Sequence, residues 1–133
     1  MDLRYLNEKE AGESGFLKVD VNGGLILGNG KGVRFWAVNT SVGREKTFVA
    51  RPLWPKAEPD LAQHARFLAK RGVNMVHLHA HLNPEPTGKP ADFNKAERDW
   101  IWRTVAAMKK AGIYATISPF WQGAGKTGQG GAG

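Results

Sequence analysis

Residues 72–82 read GVNMVHLHAHL, and the interpretation of the whole chain depends on this stretch. Side chains alternate between the two faces of a β-strand, so apolar residues at the even positions would share one face. The opposite face would carry Met75, His77, His79 and His81. The pattern predicts a buried strand with one side against helices and an imidazole-rich side facing away from them.

Length and composition limit the classes of protein that the chain resembles. It has 133 residues, enough for one domain with a hydrophobic core, and it has no cysteine for disulfides or thiolate metal sites. The formal net charge is +7, but the basic residues are scattered rather than interleaved with aromatic ones. No stretch is apolar enough to cross a bilayer, and Met1 is not followed by the apolar run of a signal peptide. We therefore expect neither nucleic acid nor a membrane as a partner.

Turn signals divide the residues before this stretch into strands. Residues 16–21 alternate in a strand-like way, and Asn22-Gly23 is a strong hairpin signal before a return strand at residues 25–27. A third strand is predicted at residues 33–39. Within it, Trp36 is expected to point into the core beneath the helices.

Two predicted helices flank the histidine-containing strand. Helical spacing of apolar residues predicts helices at residues 60–71 and 95–111, ended by Gly72 and Gly112, and a strand at 113–118. The repeated order of strand, helix, glycine and strand is typical of parallel βα units in an α/β protein. Along the second helix the inner stripe is Ile101, Val105 and Met108, and of Trp100 and Trp102 one is expected to pack and one to be partly exposed.

Acidic residues of the chain give no obvious catalytic pair. Asp60, Asp92, Glu97 and Asp99 lie at predicted helix starts or on helix faces, where acids favour the N-terminal end. We interpret them as caps and solvated charges, with Asp92 or Asn94 as the cap of the second helix.

Polar residues follow each of the predicted parallel strands. Five residues stand at the carboxyl ends of three successive strands: Asn39, His77, His79, His81 and Ser118. Ligands bind at this edge in both barrels and open parallel sheets, so these side chains are expected to converge there. Trp121, just after the last strand, is a candidate for stacking on a sugar ring.

Three regions are expected along the chain. Residues 1–32 form a lead-in and β-hairpin, residues 33–121 form the parallel βα part with a long loop from residue 40 to 58, and residues 122–133 form a glycine-rich flexible end. The Gly123–Thr127 segment of that end lacks the spacing of a phosphate-binding loop.

Three segments in this order resemble the cellulase-like (β/α)8 glycoside hydrolases. RFWAVN at residues 34–39 looks like their first barrel strand, and residues 68–79 look like their first helix and second strand. Residues 109–117 look like the second helix and third strand, and residues 2–16 are similar to the lead-in of some large members.

The resemblance implies a partial TIM (β/α)8 barrel, with the first three parallel barrel strands and two helices preceded by an N-terminal β-hairpin. It implies the N-terminal fragment of a retaining glycoside hydrolase of poly- or oligosaccharides, with Asn39, His77, His79 and Trp121 binding carbohydrate. The family's catalytic carboxylates stand on strands four and seven, so we assign no catalytic residue here, no metal ligand and no cofactor. The expected partner is the remainder of the barrel, and this chain alone is expected to be inactive. Family members are often secreted or periplasmic, although the sequence itself assigns no location.

One position departs from the family pattern. The second strand of these enzymes usually carries an arginine where this chain has His77, which is shorter and can be neutral at pH 7. Two alternatives stay open: a metal-dependent barrel hydrolase that uses the His-x-His-x-His strand, and a non-catalytic carbohydrate-binding half-barrel.

Overall fold

The computed structural model describes residues 1–43, 60–82 and 93–119. Several sequence predictions therefore lie outside the described residues: the stacking role of Trp121, the cap at Asp92, most of the long loop and the glycine-rich end.

The described elements follow the predicted order. A 3-10 helix at Arg4–Leu6 precedes an antiparallel hairpin made of β1 (Lys18–Val19) and β2 (Leu25–Ile26). The parallel part then consists of β3 (Ala37–Asn39), α1 (Leu61–Ala69), β4 (Met75–His79), α2 (Lys95–Lys109) and β5 (Tyr114–Ser118). The described part of the chain is thus mixed α/β, with a hairpin, a small parallel sheet and two α-helices.

The second sheet is parallel, as predicted, with strand order β3–β4–β5. β4 is the central strand, because it pairs with β3 on one side and with β5 on the other. Its burial alternates residue by residue, and Val76, Leu78 and Ala80 are all 0% exposed. The predicted alternation is confirmed over residues 75–80, although the strand is shorter than the stretch 72–82.

The core lies between the even-numbered face of β4 and the two helices. Val76 and Leu78 are buried together with Ala65 of α1 and with Trp100 and Met108 of α2. Full burial of a valine, leucine or methionine side chain stabilises a fold by about 1.5–3 kcal/mol. Trp100 is 2% exposed and Trp102 is 62% exposed, so the predicted division between these two tryptophans is confirmed.

Polar caps start both helices. The Asp60 side chain accepts a hydrogen bond from the Ala62 amide at 2.9 Å, and the Asn94 side chain accepts one from the Glu97 amide at 3.1 Å. Such caps satisfy amides that have no partner within the first turn. The caps predicted at Asp60 and Asn94 are therefore confirmed.

Glycine ends α2 for two separate reasons. Gly112 has a φ of +75°, which a residue with a Cβ rarely adopts. A Cβ at this position would also stand 1.9 Å from the backbone oxygen of Glu8. The predicted stop is therefore also the place where the N-terminal lead-in passes closest to the helix end.

The prediction for Trp36 was wrong, because its side chain is 65% exposed. Trp36 directly precedes β3, and β3 is an edge strand of the described sheet. The neighbouring Val38 does pack against the core, so helix cover reaches β3 but leaves Trp36 open. An aromatic residue beside a strand is buried only where a further element covers it.

β3 is also shorter than the predicted strand at residues 33–39. The Asn74 amide still donates to the Trp36 carbonyl at 3.2 Å, and the Asn74 side chain adds two bonds: its Oδ1 accepts from the Trp36 amide at 2.7 Å, and its Nδ2 donates to the Arg34 carbonyl at 2.8 Å. The Phe35 ring meets the Tyr114 ring edge to face at 5.5 Å. One backbone bond and a side-chain amide therefore hold this segment, which is not a continuous paired strand.

The lead-in closes the amino-terminal end of the sheet. The Leu3 amide donates to the Lys70 carbonyl at 3.0 Å, and the Ala11 amide donates to the Lys109 carbonyl at 2.9 Å. Both acceptors lie at helix C-termini, where carbonyls have no partner within the helix. The Asn7 side chain adds a bond to the Val73 carbonyl at 2.8 Å.

A Tyr–Glu pair fastens the lead-in to β5. The Tyr114 hydroxyl donates to the Glu8 carboxylate at 2.5 Å, and the same carboxyl group accepts from the Gly12 and Ser14 amides. Burial together with the Glu8 contact raises the pKa of Tyr114 to about 12. Burial alone would raise the pKa of Glu8, but hydrogen bonds led by Ser14 and Tyr114 outweigh it and hold that pKa below its usual value.

Candidate functional site

The parallel register places the predicted polar residues together. Asn39 on β3 pairs with His77 on β4, and His77 in turn pairs with Thr116 on β5. One row nearer the carboxyl end, His79 pairs with Ser118. These five residues lie on the face of the sheet opposite the helices, because they alternate with the buried residues of the core. We call them the polar edge.

A hydrogen bond links two strands within the polar edge. His77 Nε2 lies 2.8 Å from Ser118 Oγ, and which of the two donates depends on the histidine tautomer. The rings of His77 and His79 are neighbours, with centroids 4.3 Å apart and planes inclined by 49°. Both histidines are half-buried.

Asn39 completes the row on the β3 side. Its side chain is exposed, and an amide offers two donors and one oxygen acceptor to a ligand. Its neighbour Thr40 is buried and donates its amide to the His77 carbonyl at 3.2 Å. Asn39 therefore stands on a backbone that is tied directly to β4.

Two further side chains hold the segment after β3. His64 Nε2 on α1 lies 3.0 Å from Thr40 Oγ1, and Trp100 Nε1 on α2 donates to the Val42 carbonyl at 3.0 Å. Residues 40–42 are thereby tied to both helices at the edge where the polar residues meet. Burial lowers the pKa of His64, which favours its neutral form beside Thr40.

The sequence predictions did not single out His64, although a signal was present. The helix was predicted from Leu61, Ala65 and Leu68, and His64 falls on the same stripe by the same spacing. Helical periodicity does not predict the hydrogen-bond partner of His64, because Thr40 lies 24 residues away along the chain.

The interpretation of Glu97 as a cap or solvated charge was wrong. Glu97 is 7% exposed, and its carboxylate accepts a hydrogen bond from the His81 amide at 2.9 Å. Its place in the first turn of α2 directs it towards the end of β4, and a backbone amide offsets the cost of burying the charge. Asp99, by contrast, is exposed and pairs with Arg98 at 2.6 Å, so the interpretation as a surface charge is confirmed there.

The third histidine of the strand stands apart from the other two. β4 ends at His79, and His81 follows the strand with its amide bonded to Glu97. Across residues 1–43, 60–82 and 93–119, no group of three or more histidine, aspartate or glutamate side chains is arranged to hold a metal ion. The His-x-His-x-His pattern therefore does not become a three-histidine cluster.

The polar edge offers hydrogen-bond donors and acceptors and no carboxylate. It offers two imidazoles, an amide and two hydroxyls, and none of the residues of β3, β4 or β5 is acidic. Imidazole, amide and hydroxyl groups both donate and accept hydrogen bonds, which suits them to ligands rich in hydroxyl groups. Hydrolysis of a glycosidic bond by retention needs two carboxyl groups about 5 Å apart, and these strands supply neither.

Comparisons with known proteins identify no family for this chain. No family model matches the chain, and no curated protein or solved structure matches it either. Among the described helices, none has both the length and the apolar character that a membrane span requires.

Proposed function

We propose that this chain is the N-terminal part of a (β/α)8 glycoside hydrolase, and that its polar edge forms one wall of a saccharide-binding site. The observation that carries the proposal is the convergence of Asn39, His77, His79 and Ser118 at the carboxyl end of three parallel strands. In parallel α/β folds this end is where ligands bind. The hydrolytic carboxylates would come from strands beyond these three, so the chain alone binds saccharide without cleaving it.

Unpaired edges on both sides of the sheet support the proposal that the chain is part of a larger barrel. In the described part of the chain, β3 and β5 each have one neighbour. On the helix-facing side, Trp36 beside β3 is 65% exposed and Ile117 on β5 is 41% exposed. Further βα units, the remainder of the barrel, would pair with these edges and cover both side chains.

Isothermal titration of the 133-residue chain with cellohexaose, xylohexaose and mannohexaose tests the saccharide site. We expect saturable binding of at least one of these oligosaccharides. We also expect His77→Ala and Asn39→Ala to weaken it by about fivefold to tenfold, the loss of one hydrogen bond each. Lys18→Ala, on β1 outside the polar edge, is the matched control and should leave the affinity unchanged.

The titration and two further observations separate the alternatives. Equal affinities for the parent chain and both polar-edge variants would rule out the proposed wall. Stoichiometric zinc in the purified protein that is lost in a His77→Ala/His79→Ala variant would favour a metal-dependent hydrolase instead. Saccharide binding, together with no coding sequence beyond residue 133 for an Asn-Glu strand end and a later glutamate, would favour a non-catalytic binding half-barrel.

A further inference from the structure

A recess lies where the lead-in meets the two helices. It has a volume of about 820 Å³ and runs between α1, the last turn of α2 and the lead-in. Its floor includes the small side chains of Ala62, Ala69, Ala107 and Ala111. It involves the residues that close the amino-terminal end of the sheet and none of the residues of the polar edge.

The charges around this recess do not cancel. Six charged side chains line it, and the two acidic ones already have partners within the chain. Asp2 forms an ion pair with Arg4 at 2.6 Å, and Glu8 accepts hydrogen bonds from Tyr114, Gly12 and Ser14. The pKa of Asp2 is lowered to about 2 by Arg4, so that carboxylate stays ionised and paired.

Three cations are left over. Lys9 of the lead-in, Arg66 of α1 and Lys110 at the end of α2 form no ion pair with any described residue. The nearby Glu10 pairs with Lys109 at 2.8 Å, and Lys110 contributes only a weaker attraction to it. Tyr5, which also lines the recess, is 76% exposed.

We propose that this recess binds an acidic peptide segment of a partner protein, with carboxylates on Lys9, Arg66 and Lys110 and the peptide backbone over the alanine floor. Three elements contribute one cation each, which suits a ligand with several separated charges better than a single ion. A narrow floor of small side chains lets a peptide approach closely, and exposed tyrosine and arginine are enriched where partners bind. Charge complementarity of this kind mainly sets partner choice and association rate.

The test is the fluorescence anisotropy of a labelled deca-glutamate peptide titrated with the 133-residue chain, with deca-glutamine as the uncharged control. We expect saturable binding of deca-glutamate alone, weakened by salt. Arg66→Glu/Lys110→Glu should reduce the affinity by about tenfold or more. Lys18→Glu/Lys95→Glu changes the net charge equally at exposed positions outside the recess, and it should reduce affinity by less than about threefold.

Each other outcome would overturn the proposal. Equal losses in both double variants would mean attraction to the net charge alone, and binding of deca-glutamine would mean that carboxylates are not recognised. Tighter binding of inorganic polyphosphate in the same recess would assign it to phosphate ligands. If the charge-reversed pair fails to fold by circular dichroism, Arg66→Gln/Lys110→Gln is compared with Lys18→Gln/Lys95→Gln by the same criteria.

Discussion

The two ends of the parallel sheet use their polar groups in opposite ways. At the amino-terminal end, Asn7, Glu8 and Tyr114 bind other parts of the chain and tie the lead-in to the helix ends and β5. At the carboxyl-terminal end, Asn39 is exposed and both His77 and His79 are half-buried. Polar groups that satisfy one another contribute to stability, whereas an exposed polar side chain such as that of Asn39 is available to a ligand. Substitutions at the first end should therefore cost stability, and substitutions at the second should cost binding.

The largest expected loss of stability is at the contact between the lead-in and α2. Gly112→Ala places a Cβ 1.9 Å from the Glu8 carbonyl oxygen at a φ of +75°. The backbone conformation alone costs about 1–2 kcal/mol for an L-residue, and displacement of the lead-in adds to this. We expect the free energy of unfolding in urea to fall by about 3 kcal/mol.

Gly30→Ala is the matched control for this substitution. Gly30 has a similar φ of +85°, but an added Cβ would meet nothing within 4 Å. It should therefore lose only the conformational part, about 1–2 kcal/mol. Equal losses at the two glycines would mean that the lead-in does not pack on the end of α2 as described.

The Tyr114–Glu8 pair should give the next largest effect, together with a distinctive pH dependence. Tyr114→Phe should reduce the free energy of unfolding by about 1–2 kcal/mol, the value of a hydrogen bond to a charged group. The pKa of Tyr114 is raised to about 12 in the folded protein, so its contribution is complete below pH 10 and is lost as the pH rises through about 12. The pKa of Glu8 is lowered, so its contribution is present above its usual value of 4.5 and is lost as the pH falls through the folded pKa.

Unfolding of the parent and of Tyr114→Phe at a series of pH values checks both directions. The variant should lose the alkaline decline that comes from residue 114. It should also have a shallower acid decline, because the Glu8 carboxylate has lost one donor. Parallel curves for the two proteins at all pH values would contradict the pairing.

His64 gives a smaller effect at the carboxyl-terminal end. Burial lowers its pKa below 6.5, so the unfolded chain binds the proton more tightly than the folded one. Stability should therefore fall as the pH drops from about 6.5 towards the lowered pKa, and then level off. His64→Gln keeps a donor for Thr40 and should remove this decline while costing about 1 kcal/mol or less at pH 8. Retention of the decline in the variant would assign it to another group.

The smallest change in stability is expected at Asn39, an exposed residue of the polar edge. Asn39→Ala should alter the free energy of unfolding by less than about 0.5 kcal/mol, because no described contact depends on its side chain. The same variant should lose saccharide affinity, as set out above. A loss of stability as large as that of Tyr114→Phe would mean that Asn39 supports the fold, and the contrast between the two ends would fail.

Much of the fold follows from short-range patterns in the sequence. The alternation in residues 75–80, the caps at Asp60 and Asn94 and the stop at Gly112 each depend on neighbours within a few residues, and all are confirmed. These local patterns also predict the order of the elements, because each strand, helix and glycine stop is recognised from residues close together in the sequence.

Features that depend on distant residues were wrong or missed. Trp36 was placed in the core because its strand was predicted to be covered, which no local pattern tests. Glu97 was interpreted as a solvated charge on a helix, because its partner, the His81 amide at the end of β4, lies 16 residues away in the sequence. The bond between His77 and Ser118 joins residues 41 positions apart, so it requires the strand register as well as the strand assignment. The (β/α)8 barrel architecture and the saccharide ligand both stay predictions.

The most direct test of the central claim is a map of amide and imidazole chemical shifts in the isotopically labelled 133-residue chain during titration with the oligosaccharide that binds best. The account predicts shifts that saturate together at Asn39, His77, His79 and Ser118, with none at Asn7, Glu8 or Tyr114. Saturating shifts at the lead-in with none at the polar edge, or no shifts with any oligosaccharide, would contradict it.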